Sequence, residues 1–287
     1  MLDVFIIIAE YCDFDTLRAL RSTCRGIRKR VKILHIPNKK CIRDGIPSLF
    51  PHLTRLDAGY NHDISDESVV LLRNLTHLDA SGNVAITDAS VENLTRLTYL
   101  DASGNTAITD SSVKLLTRLT ALDATFAFGI RDVSVKKLTN LTSLHARFNT
   151  SITDASVAML TKLTNLSAQN NPKITDMSVA LLTQLTFLDT SSNNNICSAI
   201  TKLTNLTGLE ACYSTTITDE IVSKLTRLTY LHAGYSFAIT DESVSKLTNL
   251  TYLNAIYCPR ITDVSVALLT KLTTLRSYGN PSISIKK

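Results

Sequence analysis

The side chains most able to do chemistry in this 287-residue chain share one position of a phrase that returns every 22 residues, with a single interval of 21. That position reads His35, Asp57, Asp79, Asp101, Asp123, His145, Ser167, Asp189, Glu210, His232, Asn254 and Arg276. On neighbouring parallel strands the four successive aspartates would lie about 4.8 Å apart. Like charges at that distance repel by roughly 1 kcal/mol per pair even in water, so the ladder costs stability. It is expected to recruit a basic ligand segment by electrostatic steering; the competing reading is that repeat duplication copied one tolerated Asp. Asp123 with His145, or Glu210 with His232, could in principle hold a metal. Without a third clustered imidazole, surface pairs are expected instead. His145 and His232 lie far apart along the repeat, and no Ser or Cys is expected beside either with an orienting acid. There is no Gly-rich phosphate loop. The chain therefore reads as non-enzymatic, without metal or cofactor, and a hydrolase or metal site on this face is the disfavoured alternative.

A second set of residues suits binding. One column holds Tyr60, Phe126, Phe148, Tyr213, Tyr235 and Tyr257, and another adds Tyr99, Phe187, Tyr230 and Tyr252. Tyr213, Tyr230, Tyr235, Tyr252 and Tyr257 are expected to form one patch toward the C-terminal end. Tyrosine offers a large contact area with a polar tip and is common in binding hot spots. The candidate partner-binding residues are these five tyrosines together with Asp57, Asp79, Asp101 and Asp123.

The elements that must position them follow from the repeat. In a clean copy, Leu97 to Arg118, the first residues read as a short strand. Leu100 and Ala102 point inward, and Tyr99, Asp101 and Ser103 point outward. Stacked copies then pair into a parallel sheet on the concave face. Asn105 is expected to turn the chain, its amide satisfying backbone groups orphaned in the bend. At the equivalent position Ala127, Ser214, Ser236 and Cys258 replace Asn, so those turns need other partners. Ile108 enters the core, and Asp110 is expected to cap a short helical segment carrying Val113 and Leu116 on one face. Each copy buries about five large apolar side chains, and no copy is stable without neighbours on both sides.

The phrase L-T-x-L-D-A-x-x-N-x-x-I-T-D-x-S-V-x-x-L-T resembles leucine-rich repeats, and its second half resembles those of F-box leucine-rich-repeat proteins. The resemblance implies an α/β solenoid over residues 31–287, about twelve units, with strands on the concave face and short helical or 3-10 segments on the convex face. Two departures stand out. The third strand Leu is Ala in most units, which should bring sheet and convex side closer. The 21-residue unit, through Asn193-Asn194-Asn195-Ile196-Cys197-Ser198, loses the T-D pair and should perturb its convex side.

Residues 1–30 read as two or three short amphipathic helices, with Asp15 capping a stripe of Leu17, Leu20 and Cys24. The D-x-L-x-x-L-x-x-x-C-R stretch resembles an F-box, although the opening Leu-Pro of that family is absent. The resemblance implies docking of a Skp-type adaptor of a cullin ubiquitin ligase, here through Val4, Ile8, Leu17 and Leu20. The alternative is that these helices only cap the first repeat, leaving a stand-alone scaffold. Both readings make the repeats a protein-interaction module.

Ten of the 30 basic residues but five of the 25 acidic ones fall in residues 1–45, so the net charge of +5 belongs to that segment. Its cluster Arg25, Arg28, Lys29, Arg30 and Lys32 lacks interleaved aromatics, which argues for a solvated helix face over nucleic-acid binding. The six scattered cysteines, without C-x-x-C pairs, and the lack of a basic leader point to reduced thiols in an intracellular, cytoplasmic protein. No apolar run is long enough for a membrane span. The final unit stops after Ile283-Ser284-Ile285, so weak self-association through the last sheet edge is expected.

Overall fold

The computed structural model describes residues 35–36, 44 and 53–285. Val4, Ile8, Leu17 and Leu20, with the rest of the F-box-like stretch, lie outside the described residues. The chain forms two compact units, Met1–Asn140 and Leu141–Lys287.

In the first unit β1 (His35–Ile36), β2 (Arg55–Asp57), β3 (His77–Asp79), β4 (Tyr99–Asp101) and β5 (Ala121–Asp123) pair in parallel and in chain order. Four-residue helices, Asp66–Val69, Asp88–Val91, Asp110–Val113 and Asp132–Val135, follow β2 to β5. The period-two strand pattern sets the faces. Leu100 and Ala102 turn inward, where with Leu97, Ile108, Val113 and Leu116 they are completely buried. Each large side chain so buried contributes about 1.5–3 kcal/mol.

Polar residues of the repeat bind one copy to the next. Asn105 Nδ2 donates to three carbonyls of the preceding copy, those of Ala80 (3.2 Å), Asn83 (2.6 Å) and Ile86 (3.1 Å). The expected turn Asn is therefore an inter-repeat staple. Thr98 Oγ1 donates to the Thr76 carbonyl at 3.1 Å, and Thr120 repeats the bond to Thr98 at 3.0 Å.

Asp110 is not the helix cap. Thr109 is: its extended backbone and its Oγ1, accepting from the Ser111 N–H at 3.1 Å, close the helix start. A one-turn helix leaves the first-turn carboxylate free to reach forward. Asp88 thus accepts from the Thr109 N–H (2.8 Å) and Oγ (2.5 Å) and from Ser112 Oγ (2.5 Å) of the next copy. Asp110 accepts from Arg131 N–H (2.8 Å) and Nε (2.9 Å).

In the second unit β6 (Ser143–His145), β7 (Asn165–Ser167), β8 (Phe187–Asp189), β9 (Gly208–Glu210), β10 (Tyr230–His232), β11 (Tyr252–Asn254) and β12 (Thr274–Arg276) are again parallel and sequential. The 21-residue copy departs as expected: a 3-10 helix, Ser198–Lys202, replaces the α-turn, and Cys197 gives no side-chain cap. Asp176 of the preceding copy compensates, accepting from the N–H groups of Cys197, Ser198 and Ala199 at 2.8–3.1 Å. The Asn staple fails over three copies and resumes at Asn280. Cys258 substitutes its thiol, donating to the Ala233 carbonyl at 3.0 Å, and Ser214 Oγ accepts the Ile217 N–H at 3.2 Å. Ser236 Oγ is buried without a partner. Among the described residues no helix is long and apolar enough to cross a membrane.

Candidate binding surfaces

Register places the predicted aspartates on one line: Asp57 opposite Asp79, Asp79 opposite Asp101, and Asp101 opposite Asp123. They are not simply displayed to solvent. Asp79 accepts from the Ser81 N–H (2.9 Å) and Oγ (2.6 Å), Asp101 from the Ser103 N–H (2.9 Å), and Asp123 from the Thr125 N–H (2.9 Å). Each carboxylate thus closes an Asx-type turn where its strand ends. Asn254 does the same with the Ile256 N–H at 3.0 Å, so the turn needs the carbonyl-like oxygen and not the charge. Burial pushes the Asp101 carboxyl above its ordinary range, against the Ser103 hydrogen bonds, and the charges of Asp123 and Asp79 push it further. At the edge of the line Arg55 Nε lies 3.4 Å from Asp57, and His77 stacks on Tyr99 with centroids 5.8 Å apart.

The five predicted tyrosines separate into two stacks. On the strands, Tyr230 and Tyr252 lie 4.5 Å apart and 9° from parallel. At the turns, Tyr213, Tyr235 and Tyr257 stack at 4.4 and 4.9 Å, and Tyr278 meets Tyr257 edge-on at 5.8 Å. Tyr278, which is not among the candidate residues, extends the second stack.

The turn column has an unusual backbone. Tyr60, Phe126, Phe148, Tyr213, Tyr235 and Tyr257 all hold φ between 51° and 60°. This left-handed region costs an L-residue roughly 1–2 kcal/mol. Gly82, Gly104 and Gly279 occupy the equivalent place in other copies. A Cβ on Gly279 would fall 2.3 Å from the Tyr257 ring, so the preceding ring lies over the glycine. Several rings remain open: Tyr60 is 75% exposed and Tyr213 55%.

One expectation about chemistry is corrected. A cysteine does sit beside His232: Cys212 Sγ lies 3.2 Å from Nε2. Position seven of one copy meets position five of the next diagonally, a relation that appears once the strands are in register. Gly234 allows it, since a Cβ there would meet His232 Nε2 at 3.0 Å and Cys212 Sγ at 3.1 Å. The pair is not primed for attack. Burial raises the Cys212 thiol to about 11, and Glu210, Cys258 and Asp189 add to the shift. Burial also lowers the His232 imidazole, against the pull of Glu210 and Asp189. A neutral thiol beside a neutral imidazole is the opposite of an activated nucleophile. Among the described residues no three His, Cys, Asp or Glu side chains cluster as a metal site.

No protein-family model matches the chain, and no curated protein matches it. Solved structures do. An internalin (inlF) of Listeria monocytogenes has a TM-score of 0.61 and 23% identity, over 93% of this chain and 90% of that one. A chain of the yeast Rad7–Elc1 complex has a TM-score of 0.69 at 17% identity, covering 99% of this chain and 90% of that one. A leucine-rich-repeat protein of Leptospira interrogans gives 0.56 at 18% identity, over 91% and 82%. The fold is the α/β leucine-rich-repeat solenoid that the repeat implied.

Proposed function

We propose that the chain is a non-enzymatic protein-binding module whose repeats present an acidic line in the first unit and a tyrosine surface in the second. The observation that carries this reading is the turn column. Exposed aromatic rings stand on left-handed backbone that glycine would occupy without strain, and local strain of this kind clusters where a surface is used. Large, partly buried tyrosines are the residue type on which binding energy concentrates. The four aspartates supply steering for a basic partner.

The test is affinity capture on the immobilised full chain from a lysate of the source cells, repeated with a Tyr235→Gly/Tyr257→Gly variant. Glycine removes the rings and relaxes the backbone, so folding is preserved. A specific partner retained by the native chain and reduced at least tenfold by the variant, at unchanged melting temperature, supports the reading. Equal retention of every partner overturns it.

The finer reading is that residues 1–30 dock a Skp-type adaptor. Its support is the sequence stretch Asp15–Arg25, in which Leu17 and Leu20 are spaced three apart, and one structural neighbour comes from a complex of Rad7 and Elc1. A purified Skp-type adaptor should co-elute with the full chain and be lost from a Leu17→Glu/Leu20→Glu variant. Absence of co-elution leaves a scaffold.

A further inference from the structure

In the second unit the loop that leads from each helix to the next strand has two positions at the surface, each just before a buried Leu. The first row reads Met159, Leu181, Lys202, Lys224, Lys246 and Leu268. The second reads Lys162, Gln184, Asn205, Arg227, Asn249 and Lys271. Bonds between copies hold the second row together. Arg227 donates to Asn205 Oδ1 at 3.4 Å, and Lys271 Nζ donates to Asn249 Oδ1 at 2.7 Å. An ammonium has three donors, so Lys271 keeps capacity for a further acceptor.

Apolar exposure and positive charge coincide along this edge. Met159, Leu181 and Leu268, with Met177 and Val264 four residues ahead of the latter two, are between 53% and 79% exposed. Neither row holds a carboxylate. Glu220, paired with Lys224 at 3.3 Å, and Glu242 stand one turn earlier and offset two of the six cations. The aspartates at the helix starts are engaged in the clamps between copies, as Asp154 is by Thr175 and Asp219 by Thr240.

The residue types select among anionic partners. Protein interfaces favour aromatic residues and Arg and are poor in Lys. Single-stranded nucleic acids bind where rings offer a stacking platform. These two rows contain no ring, and five of their six cations are Lys. A phosphate backbone also gives an exposed Met or Leu nothing to bury against. An anionic bilayer suits both kinds of residue. Ammonium groups reach the headgroups, while their stems and the neighbouring apolar side chains enter the acyl boundary. Each Lys or Arg held near such a surface strengthens binding roughly fivefold.

We propose that this helix-to-strand edge of the second unit docks on an anionic phospholipid surface. Met159, Met177, Leu181 and Leu268 enter the headgroup boundary, and the lysines and Arg227 bind the lipid phosphates and carboxylates. The chain lies on the bilayer and does not span it. The tyrosines, on the strands and their turns, stay available to a protein partner, so the proposal goes beyond the protein-binding reading and does not depend on it.

The test is co-sedimentation of the full chain with two-to-one phosphatidylcholine–phosphatidylserine vesicles and with phosphatidylcholine vesicles alone. Poly(U) and polyglutamate serve as soluble polyanions. The chain should bind the anionic vesicles saturably and leave the neutral ones. Lys202→Gln/Lys246→Gln/Lys271→Gln should weaken binding at least tenfold, and Met177→Ser/Leu181→Ser at least threefold. All five positions are exposed, so the melting temperature should not change. The basic residues of segment 25–32 are intact in both variants, which separates their attraction to the vesicles from that of this edge. No binding to the anionic vesicles, or unchanged binding in either variant, overturns the proposal. Tighter binding of poly(U) or polyglutamate than of the vesicles overturns it in favour of a nucleic acid or an acidic protein. None of these outcomes alters partner capture by the tyrosine surface, which the Tyr235→Gly/Tyr257→Gly variant tests separately.

Discussion

Single residues in this protein carry two loads that can be separated experimentally. Asp101 closes a turn through Ser103 and also sits between two like charges. Its folded carboxyl is raised above the ordinary value, so the folded chain binds that proton more tightly than the unfolded chain does. Stability from this site is therefore present at low pH and lost as pH rises through the raised value. Asp101→Asn keeps an oxygen for the Ser103 N–H and removes the charge. We expect it to stabilise the native state by about 1 kcal/mol at pH 7, with the gain disappearing below pH 4 in urea unfolding curves. Ser236 is the converse case, a buried hydroxyl without a partner where other copies place a stapling Asn. Ser236→Asn should donate to the carbonyls of Ala211, Ser214 and Ile217, as Asn105 does to its neighbours. A gain of about 1 kcal/mol is expected in the same measurement; a loss would mean that this turn cannot admit the amide.

At the scale of the element, the one-turn helix is held at its start by the copy before it. Burial alone would raise the Asp88 carboxyl, yet hydrogen bonds from Ser112 and Thr109 hold it below its ordinary value of 3.8. Asp219 and Asp241 are lowered in the same way. A lowered folded value means that the stability is present above the unfolded value and is lost as pH falls through the folded one. Repeated along each unit, these clamps should make acid unfolding steep below about pH 4. Asp88→Asn should lower stability by roughly 1–2 kcal/mol at pH 7, and the difference from the native chain should shrink in acid. Strand order, the inward Leu and Ala and the outward columns were all legible in the sequence, because a fixed period determines which residues become neighbours. The clamp was not: Asp110 looked like a cap because it precedes Val113, and its partners lie a full copy away. The recurrence of the T-D pair and of Thr after the opening Leu was the available signal. Cys212 beside His232 escaped for the same reason, since the contact is diagonal between strands.

For the molecule as a whole, polar staples set where a unit opens first. In a stack of repeats, stability is a sum of copies and interfaces, so a run of weak interfaces opens locally before the rest. Asn83, Asn105, Asn171 and Asn193 staple their copies to the preceding ones, whereas Ser214, Ser236 and Cys258 interrupt the series over three successive copies of the second unit. Amide exchange should be faster in the turns at 214–258 than at Asn83 and Asn105, and Ser236→Asn should slow it. The thiol at Cys258 gives this difference a chemical readout. It is completely buried, and burial raises its pKa against the backbone hydrogen bonds from Ser236 and Tyr235. A maleimide can reach it only while that turn is open, whereas the partly exposed Cys197 and Cys212 need no such opening. Followed peptide by peptide in a mass spectrometer, alkylation at Cys258 becomes a stopwatch for the breathing of its own repeat. A ligand seated over the neighbouring tyrosines should make that clock run slow.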